Sequence, residues 1–176
     1  MSQSKIWELR KKSLRNELED FERRSAVLEV LRVEDLGDEL RAVIRLATKT
    51  LVKDPRGGVE ARGPVVVGVR YHERFLSEAP APYEIATIMS PRFVFHPNVS
   101  IVGALCLGHP PPGLPLGEIL HMIWAALVFN LRVVNTTEWQ GFQPEAAVYV
   151  RANRERFPLT QRGLLEPDPA KPQEGR

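Results

Sequence analysis

Residues 96–108, HPNVSIVGALCLG, are the stretch around which we expect the whole fold to be organised. This stretch contains Cys106, the only cysteine among 176 residues. Asn98 lies eight positions before the cysteine, directly after a proline, and Gly103 lies three positions before it. Proline and glycine at these places are typical of a tightly turned loop. The pattern therefore predicts a loop that presents a thiol near an amide side chain, on a scaffold formed by the rest of the chain.

The overall composition is that of an ordinary soluble globular protein, with 43% hydrophobic and 26% charged residues. The length suits one domain with extensions. A single cysteine excludes a disulfide framework and a cysteine-rich zinc site, and four scattered histidines do not form a metal cluster. We therefore expect no cofactor, and a lone thiol favours the reducing cytoplasm. The net charge of +2 is too small to indicate nucleic-acid binding, and no apolar run approaches the roughly 18 residues of a membrane span.

Residues 5–28 predict an amphipathic helix, because apolar side chains recur along one side of it. Those side chains are Trp7, Leu14, Phe21 and Leu28 at intervals of seven, with Ile6 and Leu18 beside them. The first half of the helix is basic, with Lys5, Arg10, Lys11, Lys12 and Arg15. This basic half has two interpretations: a solvated helix face, or a docking surface for an acidic protein partner that charge would orient.

Four strands are predicted next, at residues 27–34, 41–48, 65–75 and 84–89, because β-branched residues and turn signals alternate there. Residues 54–64 carry the glycines and prolines of a loop. Consecutive strands with short connections favour an antiparallel meander.

Two further helices are predicted after the cysteine. The proline-rich residues 108–115 form a rigid loop, and the helix that follows to about 129 is apolar nearly all round, which indicates burial. A polar loop over residues 130–143 leads to a last helix that ends near Phe157. The fold class is therefore α+β, with a domain over residues 1–158 and a proline-rich, disordered tail over 159–176.

His96-Pro97-Asn98 followed by Gly103-Ala104-Leu105-Cys106-Leu107, within this order of elements, resembles the ubiquitin-conjugating enzymes. That family has a first helix, a four-stranded meander, an HPN tripeptide, a Gly-x-x-Cys turn and a buried helix. The similarity covers roughly residues 5–157, and its motifs match most closely over 96–107. It implies a transferase whose partners are a ubiquitin-like protein, an activating enzyme and a target protein, with neither nucleic acid nor membrane.

The resemblance also implies roles for particular residues. Cys106 would carry the C-terminal acyl group of the ubiquitin-like protein as a thioester, because a thiolate attacks acyl carbons well and leaves well. Asn98 would either donate to the oxyanion or brace the loop that shapes the site. His96 would pack and hydrogen-bond within the loop, and Pro97 and Gly103 would hold its turns. The basic residues of the first helix, Lys5, Arg10, Lys11, Lys12 and Arg15, would bind the activating enzyme.

The chain departs from the family pattern where members contact their ligases. A Pro110–Pro115 loop replaces the usual Trp-Ser-Pro setting, and the Tyr-Pro-Phe segment is only echoed by residues 79–83. The family also has an acidic or hydroxyl residue near the cysteine, in the loop after the buried helix. Here the candidates for it are Asn135, Thr136 and Glu138. These departures put a ligase partner in doubt, and with the Arg-, Pro- and Ala-rich composition they favour a divergent bacterial member.

The sequence also allows other hypotheses. The protein could be a non-catalytic module of the same shape that binds a ubiquitin-like protein. It could also be a cysteine hydrolase, for which His96, His109 and His121 supply candidate bases. His109 is either a loop-surface histidine or a proton acceptor for the incoming amine. Cys106 could be a small buried hydrophobe, and Asn98 a turn cap. Trp139 is a candidate for partner contact.

Overall fold

A computed structural model describes residues 3–137 and 141–166, and it is an α+β domain. The helices are α1 (Gln3–Arg24), α2 (Leu116–Leu127) and α3 (Pro144–Ala152). The strands are β1 (Leu28–Asp35), β2 (Glu39–Leu46), β3 (Thr50–Lys53), β4 (Val59–Arg62), β5 (Val65–His72), β6 (Ala86–Ser90) and β7 (Ala104–Leu105).

The main sheet has five antiparallel strands in the order β1-β2-β5-β6-β7. Its inner face follows the alternation of each strand. In β5, every second residue from Val65 to Tyr71 is buried, while the residues between them are half-buried. This period of two places one row of side chains on the core. Four of the five strands lie where the alternation predicted strands, and they follow one another across the sheet as a meander.

The chain has seven strands in its described part, rather than the four that were predicted. The predicted loop over 54–64 contains most of a second hairpin, β3–β4, whose turn is capped by Asp54. The Asp54 carboxylate accepts hydrogen bonds from the backbone N–H groups of Arg56 and Gly58. The turn signals were therefore recognised, but the two four-residue strands that they connect were too short to show a clear period. The seventh strand, β7, lies inside the loop that carries Cys106.

The main core lies between the inner face of the sheet and the helices α1 and α2. Trp7, Leu14, Leu18 and Phe21 of α1 are buried as predicted, but Ile6 is exposed. Leu28 begins β1 instead of ending the helix. Seven of the twelve residues of α2 are buried, in agreement with its apolar sequence. No helix in the described part of the chain is long and apolar enough to cross a membrane.

A second, smaller core holds α3 and the β3–β4 hairpin against the segment that precedes the cysteine. Its buried members are Leu51, Phe95, Phe129, Val134, Ala146 and Val150. His96 borders this cluster, since its ring centroid lies 4.2 Å from that of Phe129. The residues that lead into the HPN tripeptide are thus packed from two sides, which gives the following loop a fixed starting point.

The packed chain continues beyond the predicted domain boundary at residue 158. Leu164 is buried in the main core, and its carbonyl accepts a hydrogen bond from the Ser25 hydroxyl. The N–H of Ala26 donates to the carbonyl of Glu166 at 3.1 Å, and the Trp124 indole donates to the carbonyl of Arg162. Residues 159–166 therefore belong to the domain, although the sequence placed them in the predicted tail. The remainder of the predicted tail, 167–176, lies outside the described residues.

Candidate functional site: the cleft at Cys106

Asn98 and Cys106 are directly opposed residues of a short β-hairpin. The N–H of Cys106 donates to the carbonyl of Asn98 at 2.7 Å, Val99 forms a bridge with Leu105, and the N–H of Ser100 donates to the carbonyl of Ala104 at 2.9 Å. These three pairs follow one another along the hairpin, with Ser100–Ala104 nearest to the turn and Asn98–Cys106 farthest from it. Side chains of opposed residues lie on the same face, about 5 Å apart at Cβ. The spacing of eight residues is therefore the spacing that places an amide beside the thiol.

The hairpin is fixed to the sheet at its turn by Gly103. This glycine has a φ of +88°, and a Cβ there would lie 2.5 Å from the carbonyl oxygen of Ile88. That close approach allows the N–H of Ile88 to donate to the Gly103 carbonyl at 2.8 Å. Only glycine combines this backbone conformation with so close a neighbour. Gly103 therefore lies in the turn and attaches the hairpin to β6.

The Asn98 carboxamide braces the loop that faces the hairpin. Its Oδ1 accepts a hydrogen bond from the N–H of Asn135 at 2.8 Å, while its Nδ2 donates to the carbonyl of Val133 at 3.2 Å and, at 3.5 Å, to that of Cys106. The side chain is buried, and both of its ends are engaged by backbone groups. Of the two roles that the sequence left open for Asn98, this geometry is that of the brace.

His96 supports the base of the hairpin as a neutral imidazole. Its Nδ1 accepts the N–H of Asn98 at 2.9 Å, so the proton is on Nε2, which donates to the carbonyl of Ala126 at 2.8 Å. Complete burial disfavours the charged form and lowers the pKa of His96 to about 4. Because both ring nitrogens are occupied, His96 has no free nitrogen to accept a proton from Cys106.

Cys106 lies half-buried in a cleft of about 360 Å³. The described residues that line it are Pro97, Asn98, Cys106, Leu107, Gly108, Met122, Ala126, Val133, Asn135 and Phe142. None of these is a histidine or a carboxylate. The site thus offers a nucleophile in mostly apolar surroundings and, among the residues that the structure describes, no general base in its walls. A thioester in such a cleft would be held away from base-activated water.

The remaining predicted site residues differ in whether they line the cleft. Pro97 is buried and lines the cleft, and its carbonyl accepts the N–H of Phe142 at 2.8 Å. His109 is exposed and lies outside the cleft lining. Of the three candidates from the later loop, Asn135 contacts Asn98 through its N–H, Thr136 is half-buried, and Glu138 lies outside the described residues, as does Trp139.

The basic residues of α1, which were predicted to bind the activating enzyme, fall into two groups: two are engaged within the fold and three are exposed. Lys11 is buried and forms ion pairs with Glu8 and Asp35, at 2.8 and 2.9 Å, and the hydrogen bonds to these carboxylates raise its pKa. Arg10 donates to the carbonyl of Leu114 and pairs with Glu17. In contrast, Lys5, Lys12 and Arg15 are exposed, and Arg15 also pairs with Asp35. Lys11 and Arg10 therefore hold α1 in place, and a docking surface would depend on the exposed three.

Sequence reasoning missed two residues that shape the site. Phe142 forms part of the cleft wall, although it lies 36 positions after Cys106. The Nε2 of Gln143 donates to the carbonyls of Val94 and Val99, both at 2.8 Å, and so ties the start of α3 to both sides of the HPN tripeptide. No local motif could have indicated either residue, because their roles depend on contacts between distant segments.

A second cavity, of about 740 Å³, is lined by the turn of the hairpin, Ser100–Gly103, and by Phe93 among others. In residues 3–137 and 141–166, no group of three or more His, Cys, Asp or Glu side chains is arranged to hold a metal ion.

No protein-family model matches this chain, and no curated protein matches its sequence.

Proposed function

We propose that the protein is a conjugating enzyme for a ubiquitin-like protein, with Cys106 as the acyl carrier. The observation that supports this most is the hairpin, which sets a half-buried thiol directly opposite the braced Asn98 in a small cleft. The motif resemblance depends on the same eight-residue spacing. The α+β architecture, with an N-terminal helix, an antiparallel meander and a buried helix after the cysteine, also supports the proposal.

The reaction proceeds in two acyl transfers. The Cys106 thiolate attacks the thioester carbonyl of the ubiquitin-like protein on its activating enzyme; the new carbon–sulfur bond forms, and the activating enzyme's sulfur leaves as a thiolate. An amine of the target, such as a lysine side chain, then attacks the carbonyl carbon of the Cys106 thioester, and a carbon–nitrogen bond forms. The carbon–sulfur bond breaks, the Cys106 sulfur leaves as a thiolate and takes up a proton, and the amine proton passes to solvent. Cys106 is thereby regenerated.

The residues around the thiol are suited to a carrier rather than to a hydrolase. A hydrolase needs a histidine hydrogen-bonded to the sulfur. Here His96 is committed to Asn98 and Ala126, while the ring of His121 packs against Phe21 at a centroid distance of 5.5 Å. His109 is exposed beyond the cleft. These placements favour acyl transfer to an amine over attack by activated water.

Thioester exchange tests the proposal. The purified protein is incubated with a fluorescent peptide thioester that ends in glycine and, separately, with ATP, a ubiquitin-like protein and its activating enzyme. We expect one acyl adduct per chain, which dithiothreitol releases and which Cys106→Ala abolishes. Cys106→Ser serves as the matched control, since an ester on serine resists dithiothreitol.

Two outcomes would contradict the proposal. One is the absence of any adduct from both donors while iodoacetamide still alkylates Cys106. The other is full cellular activity of Cys106→Ala, which would indicate the non-catalytic binding module instead. Rapid hydrolysis of small esters that depends on Cys106 would support the hydrolase.

A further inference from the structure

The wall of the Cys106 cleft includes an aromatic ring that the reaction scheme above does not use. Phe142 lines the cleft, yet 44% of its surface is exposed. Its ring packs edge-to-face against Tyr83, with 6.3 Å between the ring centroids and 72° between the planes. Tyr83 itself lies outside the cleft lining, so it contacts the Phe142 ring without facing the thiol.

Both rings are attached to the two sides of the hairpin base through backbone hydrogen bonds. The N–H of Phe142 donates to the carbonyl of Pro97 at 2.8 Å, next to Asn98. The N–H of Leu107, next to Cys106, donates at 2.7 Å to the carbonyl of Pro82, the neighbour of Tyr83. Each ring is thus anchored beside one of the two opposed residues, and the ring contact joins the two anchors.

The backbone at Phe142 has little freedom to move away. A Cβ at Gly141 would lie 2.9 Å from the carbonyl oxygen of Pro97, so the chain passes very close to the HPN segment there. On the other side, the Gln143 side chain bonds to the carbonyls of Val94 and Val99. With the backbone held on both sides, the edge-to-face contact with Tyr83 favours one position of the ring.

We propose that Phe142 is a specificity-determining wall of the Cys106 cleft, held in position by Tyr83, and that it limits the size of the group that reaches the sulfur. This inference rests on the proposed function in that it takes the cleft to be the acyl site. A cleft of about 360 Å³ is small for a ligand site, so we expect it to admit a slender acyl chain and to disfavour one with a bulky group beside the carbonyl. Tyr83 is a positioning residue, since it acts through Phe142.

Alkylation of the full chain with two maleimides of equal chemistry and different size tests the inference. N-methylmaleimide and N-(1-pyrenyl)maleimide each add the Cys106 sulfur across the ring double bond, with the proton going to the neighbouring carbon. We expect Phe142→Ala to raise the ratio of the pyrenyl rate to the methyl rate about tenfold, and Tyr83→Ala to raise it by less. Tyr83→Phe keeps the ring and should leave the ratio unchanged.

Phe93→Ala is the matched control, because Phe93 is an exposed aromatic residue (76%) that lines the other cavity. An unchanged ratio in Phe142→Ala and Tyr83→Ala overturns the inference, as does an equal rise in Phe93→Ala. Should Phe142→Ala fail to fold, Phe142→Leu and Tyr83→Ala carry the test. The reagents need no conjugation partner, so a protein that is never charged with an acyl group but shows this size selectivity would contradict only the proposed function.

Discussion

The base of the hairpin, at Asn98 and Cys106, and its tip, at Ile101 and Val102, face two different cavities. At the base, every polar group of the Asn98 side chain has a backbone partner, and the cleft is small. At the tip, Ile101 and Val102 are 96% and 77% exposed, and the adjacent cavity is about twice as large.

The difference shows that the larger cavity and the thiol lie in separate places in this molecule. The larger cavity has no thiol in its lining, whereas the smaller one holds the only cysteine of the chain. What distinguishes the base is a nucleophile whose surroundings are held in place by buried groups. The comparison can be tested by changes at each end of the hairpin.

The largest effect on stability is expected from Gly103→Ala. The alanine Cβ would meet the Ile88 carbonyl oxygen and would occupy a φ of +88°, so we expect a loss of about 4 kcal/mol in the free energy of unfolding. Urea denaturation measures it. Gly57→Ala has the same φ in open space and should cost about 1 kcal/mol. Equal losses in both variants would show that the contact with β6 does not hold the hairpin.

The pH dependence of the free energy of unfolding tests the role of His96, which supports the Asn98–Cys106 end of the hairpin. The folded pKa of His96 is about 4, below its ordinary value of 6.5. Between these values the unfolded chain binds a proton that the folded chain excludes, so stability is lost as the pH falls through this window. Over this window His96 accounts for a loss of about 3 kcal/mol in the free energy of unfolding.

His96→Gln should flatten the pH dependence of the free energy of unfolding between pH 6.5 and 4. Urea denaturation at a series of pH values provides the comparison. Identical slopes for His96→Gln and the unmodified protein would mean that another group is responsible.

Asn98→Ala separates bracing from oxyanion donation. Its loss leaves the N–H of Asn135 and the carbonyl of Val133 without their partner, and we expect a cost of about 2 kcal/mol. Ser100→Ala, which removes one hydrogen bond to the N–H of Ala104 near the tip, should cost about 1 kcal/mol. Thermal unfolding and the rate of acyl transfer are measured together. Unchanged stability with a rate loss of about 10²–10³ would assign the oxyanion role instead.

The smallest effects are expected at the tip. Ile101→Ser and Val102→Ser remove exposed apolar groups, so the free energy of unfolding should change by less than about 0.5 kcal/mol. Thioester formation at Cys106 should also be unchanged. Val99→Ala, one step from the base and fully buried, is the contrasting variant and should cost about 2 kcal/mol. A tip variant as damaging as Val99→Ala would remove the distinction between the two ends.

Much of the scaffold could be predicted because its signals are local. The alternation in β5 and the apolar surface of α2 appear directly in their sequences. The β3–β4 hairpin was missed because its strands have four residues each. Lys11 was expected on a solvated face or a docking surface, but it is buried against Asp35 of β1, a contact 24 positions away.

The sequence by itself determined that Asn98 and the turn glycine Gly103 lie close to Cys106, because a tight turn depends on residues near one another in the chain. Only the tertiary structure decided that Asn98 is engaged by Val133 and Asn135, and that Phe142, packed against Tyr83, forms part of the cleft wall. These contacts join segments brought together by burial of the two cores, and such packing leaves no periodic or spaced signal in the sequence.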